Sequence, residues 1–201
     1  MRGQSDVLAV VVLVVATLAL GLALFAYSVS QQSWLAGEKA RVSYLNLISS
    51  SIDVVLVYSS SNNGTACVML EVINIGVEEH YITVAVVSGV ISRERIEVRA
   101  EATVRLAELR SSNGLIPIPQ CPSSFQPLEL IDISSLVLPE GYTLGEAGAP
   151  KVLAPAMSTV LRPGASKTLY VEAPQGSLSV LVIAYINKVP HLAFTRVYAT
   201  G

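Results

Sequence analysis

The chain is short of charge. Asp, Glu, Lys and Arg together make up 14% of its 201 residues, where a soluble domain carries about 25%. Aromatic residues are scarce at 6%, and there are only two histidines and two cysteines. Each shortage excludes something. With 13 basic against 15 acidic residues and a net charge of −2, no strongly basic surface is on offer to a phosphate backbone, so nucleic acid is not expected as the main ligand. His80 and His191 lie far apart, and each reads as a surface or packed residue rather than a metal ligand. The sequence contains no GxSxG, GxxxxGK[ST], HExxH or GxGxxG, and no acidic run with calcium-loop spacing. The expectation is a protein that is not an enzyme and holds neither metal nor cofactor.

The two cysteines, Cys67 and Cys121, belong to no CxxC and have no neighbouring histidine. They are either two buried thiols or one bridge. In an exported domain the bridge is favoured by the oxidising surroundings, and closing so long a loop would stabilise by roughly 4 kcal/mol in the loop-entropy account.

What the chain has in excess is hydrocarbon, at 52% of residues. It is concentrated in SDVLAVVVLVVATLALGLALFAYSVSQQ, residues 5–32, where no charge falls between Asp6 and Glu38. A helix through Val7–Tyr27 spans the ~30 Å of a bilayer core, and hydrocarbon admits a single span only as a helix. The run is longer than the apolar core of a secretory signal and has no clear A-x-A cleavage site behind it, so it is expected to stay on the mature protein. Arg2 before the run competes with Lys39 and Arg41 after it, so the positive-inside count leaves orientation open. The five-residue head is easily kept inside, and the long tail reads as the exported part. Beyond Trp34 the apolar residues Leu35, Val42, Leu45, Leu47 or Ile48, and Ile52 continue at helical spacing, so the lower part of the helix is expected to pack against whatever follows.

Arg2-Gly3-Gln4-Ser5 followed at once by DVLAVVVLVVATLALGLALFAY resembles the class III signal of archaeal type IV pilins and archaellins. The resemblance implies that a membrane prepilin peptidase cuts between Gly3 and Gln4, and that the membrane assembly machinery then moves the helix from lipid into a filament. Bacterial type IV pilins are similar but carry a glutamate at the fifth mature position, where this chain has Leu8. Apart from any family, Ala9, Ala16, Ala19, Gly21, Ala23 and Ala26 supply the small surfaces that let apolar helices approach closely. The positions offered for assembly are Val7, Val11, Val14, Leu18, Ala19, Gly21, Leu22, Phe25 and Ala26.

From Ile52 the pattern turns to short β-branched runs separated by turn residues. Strands are predicted at 52–58, 66–75, 80–87, 95–106, 128–138, 152–161, 167–172, 178–186 and 190–198, with a hairpin turn at Asn62-Asn63-Gly64. The run 95–106 alternates without a fault, Ile96, Val98, Ala100, Ala102, Val104 and Leu106 against Arg, Glu and Thr, which predicts one strand with one buried face. Two phrases, VMLEVINIGVEEHYITV with Asn74 and Gly76, and LRPGASKTLYVEAP with Pro163 and Gly164, resemble those of exported immunoglobulin-like modules and of archaeal pilin heads. The Pro- and Gly-rich stretch 111–150 reads as a surface excursion. Asn63-Gly64-Thr65 is an N-glycosylation sequon, and sugar there, a greasy exterior or a covering partner would each account for the low charge.

The expected architecture is α+β: a leader at 1–3, a hydrophobic helix at 4–50 and an immunoglobulin-like β-sandwich at 51–201, together a pilin-like lollipop. The expected role is a self-polymerising subunit of an archaeal type IV pilus-like filament at the cell surface, serving adhesion or attachment, with its precursor in the cytoplasmic membrane. The alternative is a membrane-anchored extracytoplasmic β-sandwich binding module that never polymerises.

Overall fold

The computed structural model describes residues 3–91, 96–98, 104–108, 129–141, 143–145 and 151–200. One helix, α1 (Gly3–Ser51), is followed by ten strands and a short 3-10 turn. The chain divides into two compact units, Met1–Ser43 and Tyr44–Gly201, so the last two turns of α1 belong with the strands. There Leu45 and Ile48 are buried in the β core, Tyr44 packs against it, and Leu47 is exposed. The helix passes straight into β1 (Ile52–Asn62), where the β-branched run Ile-Asp-Val-Val favours extended backbone.

The strands form two antiparallel sheets. One has the order β1–β2–β8–β5, using β2 (Thr65–Asn74), β5 (Arg105–Glu108) and β8 (Ser166–Pro174). The other has the order β10–β9–β3–β7–β6, using β3 (His80–Ile91), β6 (Glu129–Asp132), β7 (Leu153–Leu161), β9 (Gly176–Ile186) and β10 (Val189–Thr200), while β4 (Ile96–Val98) pairs with β3. The orders β1–β2–β8 and β10–β9–β3 follow an immunoglobulin-type sandwich. The main core lies between the sheets, with Val68, Leu70 and Val72 of β2 facing Ile82, Val84 and Val86 of β3 and Val180 and Val182 of β9.

The β1–β2 and β9–β10 hairpins each close with two left-handed residues. Asn63 and Gly64 have φ of 50° and 82°, and Asn187 and Lys188 have φ of 52° and 67°, the backbone that matches the twist of paired strands. The first turn lies where Asn62-Asn63-Gly64 predicts it.

Two expectations need correction. The described parts of the run 95–106 do not share one sheet: Ile96–Val98 pairs with β3 in one and Arg105–Glu108 pairs with β8 in the other. Alternation reports a buried face without saying which sheet the strand joins, and this segment changes sheets. The predicted strand 128–138 is also shorter. β6 ends at Asp132, whose side chain caps a 3-10 turn at Ile133–Ser135, after which Val137 bridges to Thr143 and to His191.

That second segment is a strap. It begins on β7 through β6 and reaches β10, where Val137 N–H donates to Pro190 O at 3.0 Å and Leu192 N–H donates to Val137 O at 2.8 Å. Between these ends Ile133 and Leu136 bury themselves on a second core made by Ala85, Val87, Leu181, Ile183 and Leu192. These residues alternate along β3 and β9 with those of the first core, so both strands are covered on both faces. Part of the shortage of charge is therefore internal, because a doubly covered strand has no wet face.

Candidate functional site: an apolar helix exposed all round

Between Val10 and Tyr27 every residue of α1 is exposed. Val10 through Val15 are consecutive, and a helix turns once in 3.6 residues, so these side chains cover the whole circumference rather than a stripe. Twelve large apolar side chains between Val10 and Tyr27 lie open, Leu22 at 69% and Phe25 at 68% among them. Full burial of one such side chain is worth ~1.5–3 kcal/mol, so cover for the segment is worth on the order of 20 kcal/mol. A helix that is apolar all round is one that something covers, and this one is long and apolar enough to cross a membrane.

The residues predicted for assembly fall on this segment. Val11, Val14, Leu18, Ala19, Gly21, Leu22, Phe25 and Ala26 are all exposed. A Cβ added at Gly21 would meet nothing within 4 Å, so that glycine is unconstrained within the chain. Gly3 and Gln4, which flank the proposed cut, open the helix, and Val7 follows one turn later. Past Tyr27 the surface becomes polar. Gln31 Nε2 donates to the Tyr27 hydroxyl at 2.8 Å, Ser33 Oγ donates to Ser30 O, Trp34 is 69% exposed, and Glu38 pairs with Arg41.

In the β unit the sequence-predicted residues do not gather into one place. Cys67 is disulfide-bonded and buried with Met69 and Tyr170; Cys121 lies outside the described residues. Asn63 stands exposed at the β1–β2 tip. His80 and His191 are both buried, and His80 Nε2 has no hydrogen-bond partner among the described residues. No group of three or more His, Cys, Asp or Glu able to hold a metal occurs among the described residues. Most of the excursion 111–150 also lies outside the described residues, except 129–141 and 143–145.

The two phrases VMLEVINIG and LRPGASK meet at Asn74. This fully buried amide donates from Nδ2 to Glu78 O at 2.7 Å and to Leu161 O at 2.9 Å, and its Oδ1 accepts from Gly76 N–H at 2.9 Å. Its backbone joins the turn of the second phrase, through Asn74 N–H to Ala165 O and Gly164 N–H to Asn74 O. Gly76 is required by close approach, since a Cβ there would lie 2.5 Å from Ser51 Oγ. The strap was missed in the sequence, although the unbroken runs ITVAVV and LSVLVIAYI carried its signal: strands with one wet face alternate, and these do not.

No protein-family model matches the chain, and no curated protein matches it. Among solved structures, a similar chain is the selenomethionine-labelled β-glucosidase from Kluyveromyces marxianus, with a TM-score of 0.26 and 10% identity. The match covers 75% of this chain and 14% of that one. At that score the likeness carries no argument.

Proposed function

We propose that this protein is a structural subunit of an extracellular filament of archaeal type IV pilus kind, polymerising through its N-terminal helix. The observation that carries the reading is the apolar circumference of α1, open from Val10 to Tyr27, behind a short basic head with Gly3-Gln4 at the position of a class III cut. In the precursor, lipid covers this surface. Once a peptidase removes the head, copies of the same helix cover it instead, exchanging one apolar environment for another at little cost. Ala19, Gly21 and Ala26 admit the close approach, and the β-sandwich is displayed for adhesion or surface attachment. The partners are other copies of the chain, the peptidase and the membrane assembly machinery, and the role involves no catalysis.

The experiment is the intact mass and N-terminus of the protein in material sheared from its native cells. A start at Gln4 in pelletable, sheared material is the expected result. A start at Met1, found only with membranes, would overturn the filament and leave a membrane-anchored β module.

A further inference from the structure

The end of the sandwich at the β1–β2 tip has an unusual surface. From Val54 through Leu70, and again from Ala173 through Asn187, the chain contains no Asp, Glu, Lys or Arg. Three connections meet there: the hairpin tip at Asn63-Gly64, the β8–β9 turn, whose Gln175 N–H donates to Gly64 O at 3.0 Å, and the end of β10, where Gly176 N–H donates to Thr200 Oγ1 at 3.1 Å. Ser61, Asn62, Asn63, Gly64, Thr65 and Gln175 are exposed. Among these exposed residues the polar groups are hydroxyls and amides.

Of the asparagines in the chain, at 46, 62, 63, 74, 113 and 187, only Asn63 is followed by x-Ser/Thr, as Asn63-Gly64-Thr65. The fold uses the backbone of Asn63, whose φ of 50° suits the first position of the turn. It does not use the side chain. Among the described residues no hydrogen bond involves the Asn63 side-chain amide or the Thr65 hydroxyl, in contrast to the three made by the amide of Asn74. Turn chemistry accounts for Asn63 and Gly64 but makes no demand for Thr65, which is exposed at the start of β2 and faces Pro174 across the ladder. A large substituent on Asn63 Nδ2 would therefore break no internal bond and enter open solvent. The eleven residues of β1, at about 3.3 Å each, put the tip roughly 35 Å of strand away from the helix end at Ser51.

We infer that Asn63 is an N-glycosylation site and that its saccharide adds to the hydration of the β1–β2 tip. The donor is a saccharide linked to a lipid phosphate. A bond forms between Asn63 Nδ2 and the anomeric carbon, the bond from that carbon to the phosphate oxygen breaks with its electron pair leaving on the lipid phosphate, and Nδ2 gives up one proton. Thr65 is the hydroxyl that Asn-x-Ser/Thr recognition requires. The inference rests on the export of the β unit, which the proposed function includes.

The test is peptide mass spectrometry of the full-length protein from its native cells, comparing wild type with N63G, T65A and T65S. N63G keeps a residue at home in the left-handed turn, and T65S keeps the hydroxyl. The expected result is a saccharide mass on the Asn63 peptide in wild type and T65S, lost in N63G and T65A. An unmodified Asn63 in protein that begins at Gln4 would overturn the inference and leave the filament standing. A modified Asn63 in protein that begins at Met1 and stays with membranes would do the reverse. Saccharide mass persisting in both N63G and T65A, as from attachment at Ser59–Ser61, would also overturn it.

Discussion

At Asn74 a single side chain serves three backbone groups, two in the β2–β3 connection and one at the end of β7, and it does so at no exposure. Asn74→Ala leaves Glu78 O, Leu161 O and Gly76 N–H short of a partner, and an unsatisfied buried group costs ~1–3 kcal/mol. The variant is expected to lose about 3 kcal/mol, read as a lowered denaturation midpoint; a loss below 1 kcal/mol would show that water replaces the amide freely. Asn74 and Gly76 stood out in the sequence as part of a phrase that resembles those of exported immunoglobulin-like modules. Their reason did not, because Leu161 is 87 positions away and the crowding at Gly76 comes from Ser51. Asp132 gives a pH dependence. Its carboxyl is held below the usual value chiefly by the Ser134 hydroxyl at 2.5 Å, with burial opposing and the Ser134 N–H and Lys151 assisting. A carboxyl depressed in the folded state contributes stability above its unfolded value of about 4, and that contribution is lost as pH falls through the folded value. Between pH 6 and pH 3, wild type should lose slightly more stability than Asp132→Asn; equal losses in the two proteins would remove Asp132 from the account.

Among the elements, the strap does most to distinguish this sandwich from a two-layer one. Leu136 is fully buried against the outer face of the second sheet, where a Leu→Ala change costs 2–5 kcal/mol. Leu136→Ala is expected to destabilise by about 3 kcal/mol and to raise hydrogen exchange in β3 and β9, because the strap then covers their outer faces poorly. Destabilisation without faster exchange in those two strands would mean that the strap is not their cover. Most strands could be read from the sequence because the β-branched runs and their turn residues are local signals, and the tip at Asn63-Gly64 shows how far such signals reach. The strap and the sheet change between β4 and β5 could not be read, because each is defined by a partner distant in sequence. Val137 finds His191, and Arg105 finds Glu172, with which it also forms a 3.6 Å ion pair.

For the whole molecule the deciding quantity is what covers α1, and a charge placed on it discriminates between lipid and protein. Ala19 lies mid-run on the exposed circumference. An arginine near the centre of a lipid-embedded helix costs about 2.5–3.5 kcal/mol on insertion scales, because the long side chain reaches toward the headgroups. The remaining hydrocarbon of Val7–Tyr27 outweighs that cost, so Ala19→Arg should still insert as a precursor. Inside a packed array of helices the arginine has no such escape. Its bulk replaces a methyl where backbones approach closely, and an unpaired buried charge adds several kcal/mol more. In a helical polymer, moreover, every subunit repeats the defect. Ala19→Arg is therefore expected to accumulate in membranes at near wild-type amount and to be absent from sheared filaments, measured by immunoblot of the two fractions. Ala19→Leu separates bulk from charge, since it costs no desolvation and should assemble at least in part. Normal filaments from Ala19→Arg would sink the packed-helix reading, and would mean that the apolar surface of α1 serves the membrane alone.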